Sequence, residues 1–285
     1  MASERSEKYI GLIVRVGAYA LLALAGLALF ALILAAAGGY FVSSAVGVFL
    51  AAAIANSLVM RIFERAHLAD VGLTWTPASV RNLLLGLAGG TAAACLVLAG
   101  PLLAGVAELQ GVPGGQMHWR TLLFVTVLLL LGAAGEELLF RGYGFQVLLQ
   151  ALGPFATILP VSVLFALAHS GNLNISFLGL FNTLLWGILL GCAFLRSGDL
   201  WLPIGLHWGW NWALPLFGVN LSGFTMEVTG YVMHWKIGPV WSGGEYGPEG
   251  GVLTSGVLLL LSIGLWKAPV RRQKAFLLRS PEEED

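Results

Sequence analysis

From Thr121 to Phe140 the chain reads Thr-Leu-Leu-Phe-Val-Thr-Val-Leu-Leu-Leu-Leu-Gly-Ala-Ala-Gly-Glu-Glu-Leu-Leu-Phe, and Arg141 follows. Twenty mostly apolar residues suffice for one helix to cross a bilayer. The last turns of this helix carry two adjacent carboxylates, Glu136 and Glu137, and the arginine. An ionised side chain at mid-membrane costs about 2.5–3.5 kcal/mol on insertion scales, so three within six residues imply a use. Further along, His169, His207 and Asn211 also fall in apolar segments.

The whole chain shares this character. It has 285 residues, 58% hydrophobic and 11% charged, with a mean hydropathy of +0.84. Soluble domains carry about 25% charged residues, so an integral membrane protein is expected. The formal net charge is zero and no basic cluster with interleaved aromatics interrupts the polar segments, so no nucleic-acid partner is expected. Cys95 and Cys192 lie in apolar runs without a CxxC pattern. They are read as small buried apolar residues, which leaves neither a disulfide framework nor a thiolate metal site.

Eight apolar segments are candidate spans: Leu12–Ala37, Tyr40–Met60, Leu83–Val106, Thr121–Phe140, Pro154–His169, Ile175–Leu195, Trp201–Val219 and Gly251–Trp266. The first is longer than the ~7–15-residue apolar region of a signal peptide and is read as a retained helix. With the N-terminus in the cytoplasm, that side receives Arg5, Lys8, Arg61, Arg65, Arg81, Arg141, Arg196, Lys267, Arg271, Arg272, Lys274 and Arg279. The other side receives Arg120 and Lys236. Arg15 can snorkel from the first helix. The positive-inside rule then places both termini in the cytoplasm, which eight spans satisfy and seven would not. Arginine over lysine, with abundant Ala, Gly and Leu, leans toward a bacterial plasma membrane.

The fold expected is therefore an all-α membrane bundle of about eight helices, forming one membrane-embedded domain over 1–285. No internal repeat supports a transporter architecture. Asn220–Gly250 reads as a non-cytoplasmic loop, rich in Gly and aromatics (Phe224, Tyr231, Trp235, Trp241), lying on the interface. Pro281–Asp285 reads as a solvated acidic tail. Trp201, Trp208, Trp210 and Trp212 read as interfacial belt and core packing.

Three pairs share i,i+4 spacing and so one helix face each: Glu137 with Arg141, Phe165 with His169, and His207 with Asn211. Glu137 can brace Arg141, which leaves Glu136 free. A carboxylate in a poorly solvated cavity is a better base near neutrality, and with His169 it could hold and deprotonate a water. His207 and Asn211 suit an oxyanion hole. The plainer alternatives are a buried ion-pair brace and interhelical hydrogen bonds. His67, His118 and His234 sit in predicted loops or at interfaces without such partners.

The set resembles the CAAX protease and bacteriocin-processing (CPBP, or Abi) family of intramembrane endopeptidases, which includes the Ras-converting CAAX endopeptidases. The family pattern Glu-Glu-x-x-x-Arg, Phe-x-x-x-His, His-x-x-x-Asn reads here as Glu136-Glu137-Leu138-Leu139-Phe140-Arg141, Phe165-Ala166-Leu167-Ala168-His169 and His207-Trp208-Gly209-Trp210-Asn211. Gly187–Gly191 and Arg196–Ile204 look like the family's lead-in to the third motif. The resemblance covers about 82–219, the expected catalytic core. It implies Glu136 as general base, His169 at the water, and His207 and Asn211 at the oxyanion. Glu137 and Arg141 would be essential support, and Phe165 would pack beneath. It also implies an eight-helix bundle with a cavity open toward the cytosol.

One spacing resists this picture. At ~1.5 Å per residue, Glu136 stands about 8 Å from Arg141 and His207 about 12 Å from Asp199, but His169 stands about 22 Å from Pro154. The fourth helix continuing past Arg141 into Gln150, the fifth starting outside the hydrocarbon, or a strong tilt would each bring His169 level.

The expected function is hydrolysis of a peptide bond near the membrane by a glutamate-activated water. The substrate would be a peptide or membrane protein, lipidated or simply apolar, of CAAX or leader-peptide type. No cofactor is expected, although zinc on Glu136, His169 and His207 stays open; HExxH is absent. A proton-coupled carrier would instead move a solute across liposomes without cleavage. A non-catalytic immunity or scaffold protein would keep its function in Glu136→Gln.

Overall fold

The computed structural model describes residues 2–278, and the side chains within it except those of 2–5, 35–38 and 40. Arg279 and the acidic stretch Pro281–Asp285 lie outside the described residues. All eight apolar segments form helices. They are α1 (Ser6–Leu34), α2 (Phe41–Glu64) and α3 (Pro77–Leu103), α4 (Trp119–Arg141), α5 (Tyr143–Leu152), α6 (Pro154–Ala168), α7 (Phe177–Ser197), α8 (Trp201–Leu216) and α9 (Val252–Lys267). The ninth label arises because the fourth segment is two helices. Five runs are long and apolar enough to cross a membrane: α1, α2, α3, the joined α4–α5 run and α7. At 15, 16 and 16 residues, α6, α8 and α9 are shorter.

Local chemistry sets the helix ends. The α1–α2 turn breaks at Gly39 (φ 73, ψ 172), a conformation open to glycine and strained for other residues. Thr76 caps α3, its hydroxyl accepting from the Ser79 amide at 3.1 Å. Ser176 caps α7 in the same way through Gly179. Asp199, 2% exposed, accepts from the Leu202 amide at the start of α8, from Asn82 of α3 and from Gln273 of the C-terminal strap.

The fourth segment extends further than its apolar run predicts. After α4 the chain breaks helical geometry only at Gly142 and resumes as α5 to Leu152. The polar Gln146, which interrupts the sequence pattern, is fully buried and donates to the carbonyls of Val71 and Arg141. α6 then starts at Pro154 and turns back. Glu136 and His169 end up at nearly equal distances along helix from this turn, about 23 Å each at 1.5 Å per residue. Continuation of the helix, the first of the three remedies, therefore brings them level.

Two glycine pairs set the tightest helix contact. Gly86 and Gly90 of α3 face Gly205 and Gly209 of α8, both in small-xxx-small spacing that lets membrane helices touch backbone to backbone. A Cβ on Gly90 would sit 2.0 Å from the Leu206 carbonyl oxygen, and one on Gly209 would sit 2.4 Å from that of Leu87. His207 lies between these glycines, so α3 fixes its rotation. On α4, Gly135 lies against the Phe49 backbone of α2, which likewise fixes Glu136.

The 220–250 segment is more than an interfacial loop. Its strand β2 (Tyr231–Trp235) pairs antiparallel with β1 (Ala107–Gly111), which follows α3. Leu221, Met226, Val228 and Met233 are buried in the same core as α3, α7 and α8. Cys192, expected to be buried, is exposed, because it faces outward from α7 where lipid rather than protein suits an apolar thiol; Cys95 is half-buried.

Candidate active site

α4, α6 and α8 each bring one face to a common point. Glu137 and Arg141 are sealed from solvent, at 0% and 1% exposure, and Arg141 donates to Glu137 Oε1 at 3.1 Å. The second guanidinium nitrogen donates to the Gly187 carbonyl of α7 at 2.9 Å. Phe165 of α6 lies under the guanidinium, 4.8 Å from ring centroid to charge centre. The brace read from the sequence therefore forms, and it is anchored to a third helix.

Glu137 Oε1 also meets His207 Nδ1 at 3.0 Å. A carboxylate can only accept, so Nδ1 carries the proton and Nε2 points the other way. His169 is held by the same logic, with Nδ1 donating to the Phe165 carbonyl at 2.8 Å. Both Nε2 atoms then face Glu136 Oε2, at 3.6 Å from His169 and 3.8 Å from His207. That oxygen has no hydrogen-bond partner among the described protein atoms. Three acceptors thus converge at distances that leave room for a donor between them. A water donating to the carboxylate and to a ring nitrogen fits this arrangement.

Phe165 packs against His169 and His207, with ring centroids 4.6 and 6.2 Å away. The site opens into a cavity of about 340 Å³. Glu136, His169, His207, Asn211 and Phe165 line it, while Glu137 and Arg141 sit behind the wall. All seven residues singled out in the sequence therefore converge. Trp210 also lines the cavity, so it does more than fill a core.

The sequence reading missed the opposite wall: Asn172, Thr183, Ser222, Tyr246 and Glu249. Glu249 accepts from the Ser222 amide at 2.5 Å, the Ser222 hydroxyl at 3.0 Å and Trp210 Nε1 at 3.3 Å. Asn182 of α7 fixes its backbone, donating to the carbonyls of Glu249 and Gly251. Burial pushes the Glu249 carboxyl up, against the hydrogen bonds from Ser222 and Trp210 that favour its ionised form. Tyr246 stands among Ser222, Asn172 and Thr183, and burial pushes its phenol up as well. One signal was available: Glu249 is an acid placed just ahead of an apolar helix, where a solvated residue would be ordinary and a buried one would need a partner.

Residues 118–213 match the family model described as type II CAAX prenyl endopeptidase, Rce1-like. The segment that carries the site, about a third of the chain, is similar to this Rce1-like family. It contains α4 to α7, most of α8 and all seven convergent residues. Comparison with curated proteins and with solved structures finds no match. The family that the segment resembles is one of peptidases. α3, α9 and the Ser222–Glu249 wall lie outside the matched segment.

Proposed function

We propose that this protein is an intramembrane endopeptidase in which Glu136 activates a water for attack on a peptide bond. The observation that carries the reading is the unpartnered Glu136 Oε2 facing two imidazole Nε2 atoms. Water held there donates one hydrogen to Glu136 and another to a ring nitrogen. Glu136 takes the proton as the oxygen attacks the carbonyl carbon, then passes it to the leaving amine. His207 and Asn211, one turn apart on α8, face the developing oxyanion. For His207 to donate there it must carry a proton on Nε2 as well as Nδ1, and Glu137 at Nδ1 stabilises that imidazolium. Arg141 and Phe165 act through Glu137 and the two histidines and are positioning residues.

Glu136, His169 and His207 are also the side chains a zinc ion would use. Zinc draws nitrogen and carboxylate ligands to about 2.0–2.2 Å. Among the described residues no group of three such side chains is spaced to hold a metal. The metal-free reaction is the one proposed because HExxH is absent and the three side chains come from three separate helices, and chelation tests it. The cytosolic opening of the cavity, the cytoplasmic termini and the single-domain organisation belong to the same proposal. They rest on the loop charges and on the resemblance. Substrate is taken to be a peptide or membrane-protein segment, lipidated or apolar, because the walls around the polar centre are largely aliphatic and aromatic.

The test uses purified protein and Glu136→Gln in detergent. Each is given a fluorogenic farnesylated CAAX peptide and, separately, an unprenylated leader-like peptide, with and without a zinc chelator. Wild type should cleave at least one of them, and Glu136→Gln should lose about 10²–10⁴-fold, the range of general acid–base catalysis. Activity should survive chelation. Loss on chelation with rescue by zinc would replace the metal-free mechanism. Cleavage undiminished in Glu136→Gln would remove the role given to this residue.

A further inference from the structure

The first turns of α3 carry a second concave surface, which shares no lining residue with the cavity around Glu136. Pro77, Val80, Arg81, Leu84 and Leu85 of α3, with Arg271 of the C-terminal strap (268–278), line a groove of about 790 Å³. α3 is long and apolar enough to cross a membrane, and Pro77 is its first residue. The groove therefore lies where a span meets the headgroups. Two exposed tryptophans mark the same level. Trp75 meets Trp201 edge-on at 4.7 Å, and Trp266 stands one residue before the end of α9. Tryptophan favours this interface.

Arg81 and Arg271 are both exposed. Arg81 donates from Nε to the Pro269 carbonyl at 2.9 Å. No carboxylate pairs with either guanidinium among the described residues. Guanidinium forks match phosphate oxygens, and Leu84, 56% exposed, continues the surface into the apolar layer. A phosphodiester with acyl chains would satisfy both parts of this surface. A free phosphate would satisfy the cationic part alone.

The strap that supplies Arg271 is tied to the helix of the candidate active site. Asn82, next to Arg81, accepts from the Arg271 amide at 3.0 Å and donates to the Arg271 carbonyl at 2.7 Å. The same amide group donates to Asp199 at 2.8 Å. Asp199 in turn accepts from the Leu202 amide at the start of α8, which carries His207 and Asn211. The amides of Gln273 and Ala275 donate to the Ser197 and Gly198 carbonyls at 2.6 and 2.9 Å. An anion held by both arginines would join α3 to the strap beside the cap of α8.

We propose that this groove binds an anionic phospholipid, its phosphate between Arg81 and Arg271 and an acyl chain along Leu84 and Leu85, and that the bound lipid clamps the strap onto α3 and the α8 cap. On the loop-charge reading both arginines face the cytoplasmic leaflet, which carries anionic lipid. The proposal does not rest on the peptidase reading.

The experiment uses the full-length protein in detergent. Native mass spectrometry counts bound molecules as phosphatidylglycerol, phosphatidylcholine or inorganic phosphate is titrated. One phosphatidylglycerol should bind at least about tenfold tighter than phosphatidylcholine, and inorganic phosphate should bind more weakly than the anionic lipid. Arg81→Gln and Arg271→Gln should each weaken phosphatidylglycerol about fivefold, the scale of one basic side chain at an anionic surface. Arg272→Gln removes the same charge from the next strap residue, outside the groove, and should leave binding unchanged. Hydrogen exchange of the Gln273 and Ala275 amides should slow when phosphatidylglycerol is bound.

Equal binding of the two lipids, or an equal loss in Arg272→Gln, would reduce the groove to diffuse surface charge and overturn the site. Inorganic phosphate bound as tightly as phosphatidylglycerol would overturn the lipid as ligand. Unchanged exchange in the strap with lipid bound would overturn the clamp. The comparison of lipids in wild type needs no variant, so it decides even if a substitution does not fold. Cleavage is not among the readouts, so failure here leaves the peptidase reading standing.

Discussion

The two walls of the cavity are built differently. One is helix against helix: α4, α6 and α8 present Glu136, His169 and His207, and the side chains behind them are locked by a sealed ion pair and by glycines at backbone contact. The other is a chain of turns. Tyr246 and Glu249 sit on two short 3-10 turns, and two hydrogen bonds tie Ser222 to Glu249, whose backbone is pinned to α7 through Asn182. Reacting groups must be placed within a fraction of an ångström, which rigid helices do best. A wall that meets variable side chains tolerates looser mounting, and loops on a rigid scaffold are where recognition tends to sit. The division suggests chemistry on the helical wall and selection on the looped one.

The largest effect should come from behind the helical wall. Glu137→Gln removes the negative charge that pairs with a fully buried arginine and that supports a charged His207, while its amide oxygen can still accept. Removing one partner of a buried ion pair costs about 3–5 kcal/mol, because the remaining charge is stranded. Melting temperature and cleavage rate should fall together. Glu136→Gln, by contrast, should lose rate and keep its melting temperature, since Glu136 Oε2 has no protein partner to abandon. A Glu137→Gln protein that melts normally and cleaves normally would erase the distinction between the two carboxylates.

An intermediate effect should come from the helix mounting. Gly90→Ala places a Cβ where the Leu206 carbonyl oxygen now lies, so α3 and α8 must separate. Strain of this kind typically costs about 1–3 kcal/mol. Because His207 and Asn211 ride on α8, kcat should fall more than KM rises. A control, Gly100→Ala, meets no atom within 4 Å and should behave as wild type. If Gly90→Ala changed only KM, the mounting would serve the looped wall rather than the oxyanion side.

This contrast also explains what the sequence could show. Apolar runs of about twenty residues and three i,i+4 pairs are local patterns, and they located the eight helical segments and the helical wall. The extension of the fourth segment to Leu152 was hidden because Arg141, Gly142 and Gln146 break the apolar pattern. Gln146 is tolerated only through carbonyl partners that the fold supplies. The α3–α8 contact is written as two small-xxx-small patterns, but nothing local says that they face each other. The looped wall was least legible. Its strand pairs with a partner more than a hundred residues away, and its glycines and aromatics read equally well as a membrane interface. The charge of Glu249 was visible, but the side chains that bury it come from α7, α8 and Ser222.

The smallest effect is expected at the root of the looped wall. Lys236 and Glu108 form an ion pair at 2.7 Å beside the β1–β2 ladder. The hydrogen bond from Lys236, with that from Gln110, holds the Glu108 carboxyl below the usual carboxylate range. Any contribution is therefore present at neutral pH and is lost as the pH falls through the lowered folded value. The pair is solvated on both sides, however, and exposed pairs are screened by water and salt. Five paired residues already fix the register of the two strands, with Met233 buried beneath. Lys236→Ala should therefore leave melting temperature and cleavage rate within error of wild type at neutral pH and moderate salt. A changed rate with an unchanged melting temperature would mean that the wall is positioned by surface charge. Cleavage would then depend on ionic strength, which a salt titration of the rate would reveal.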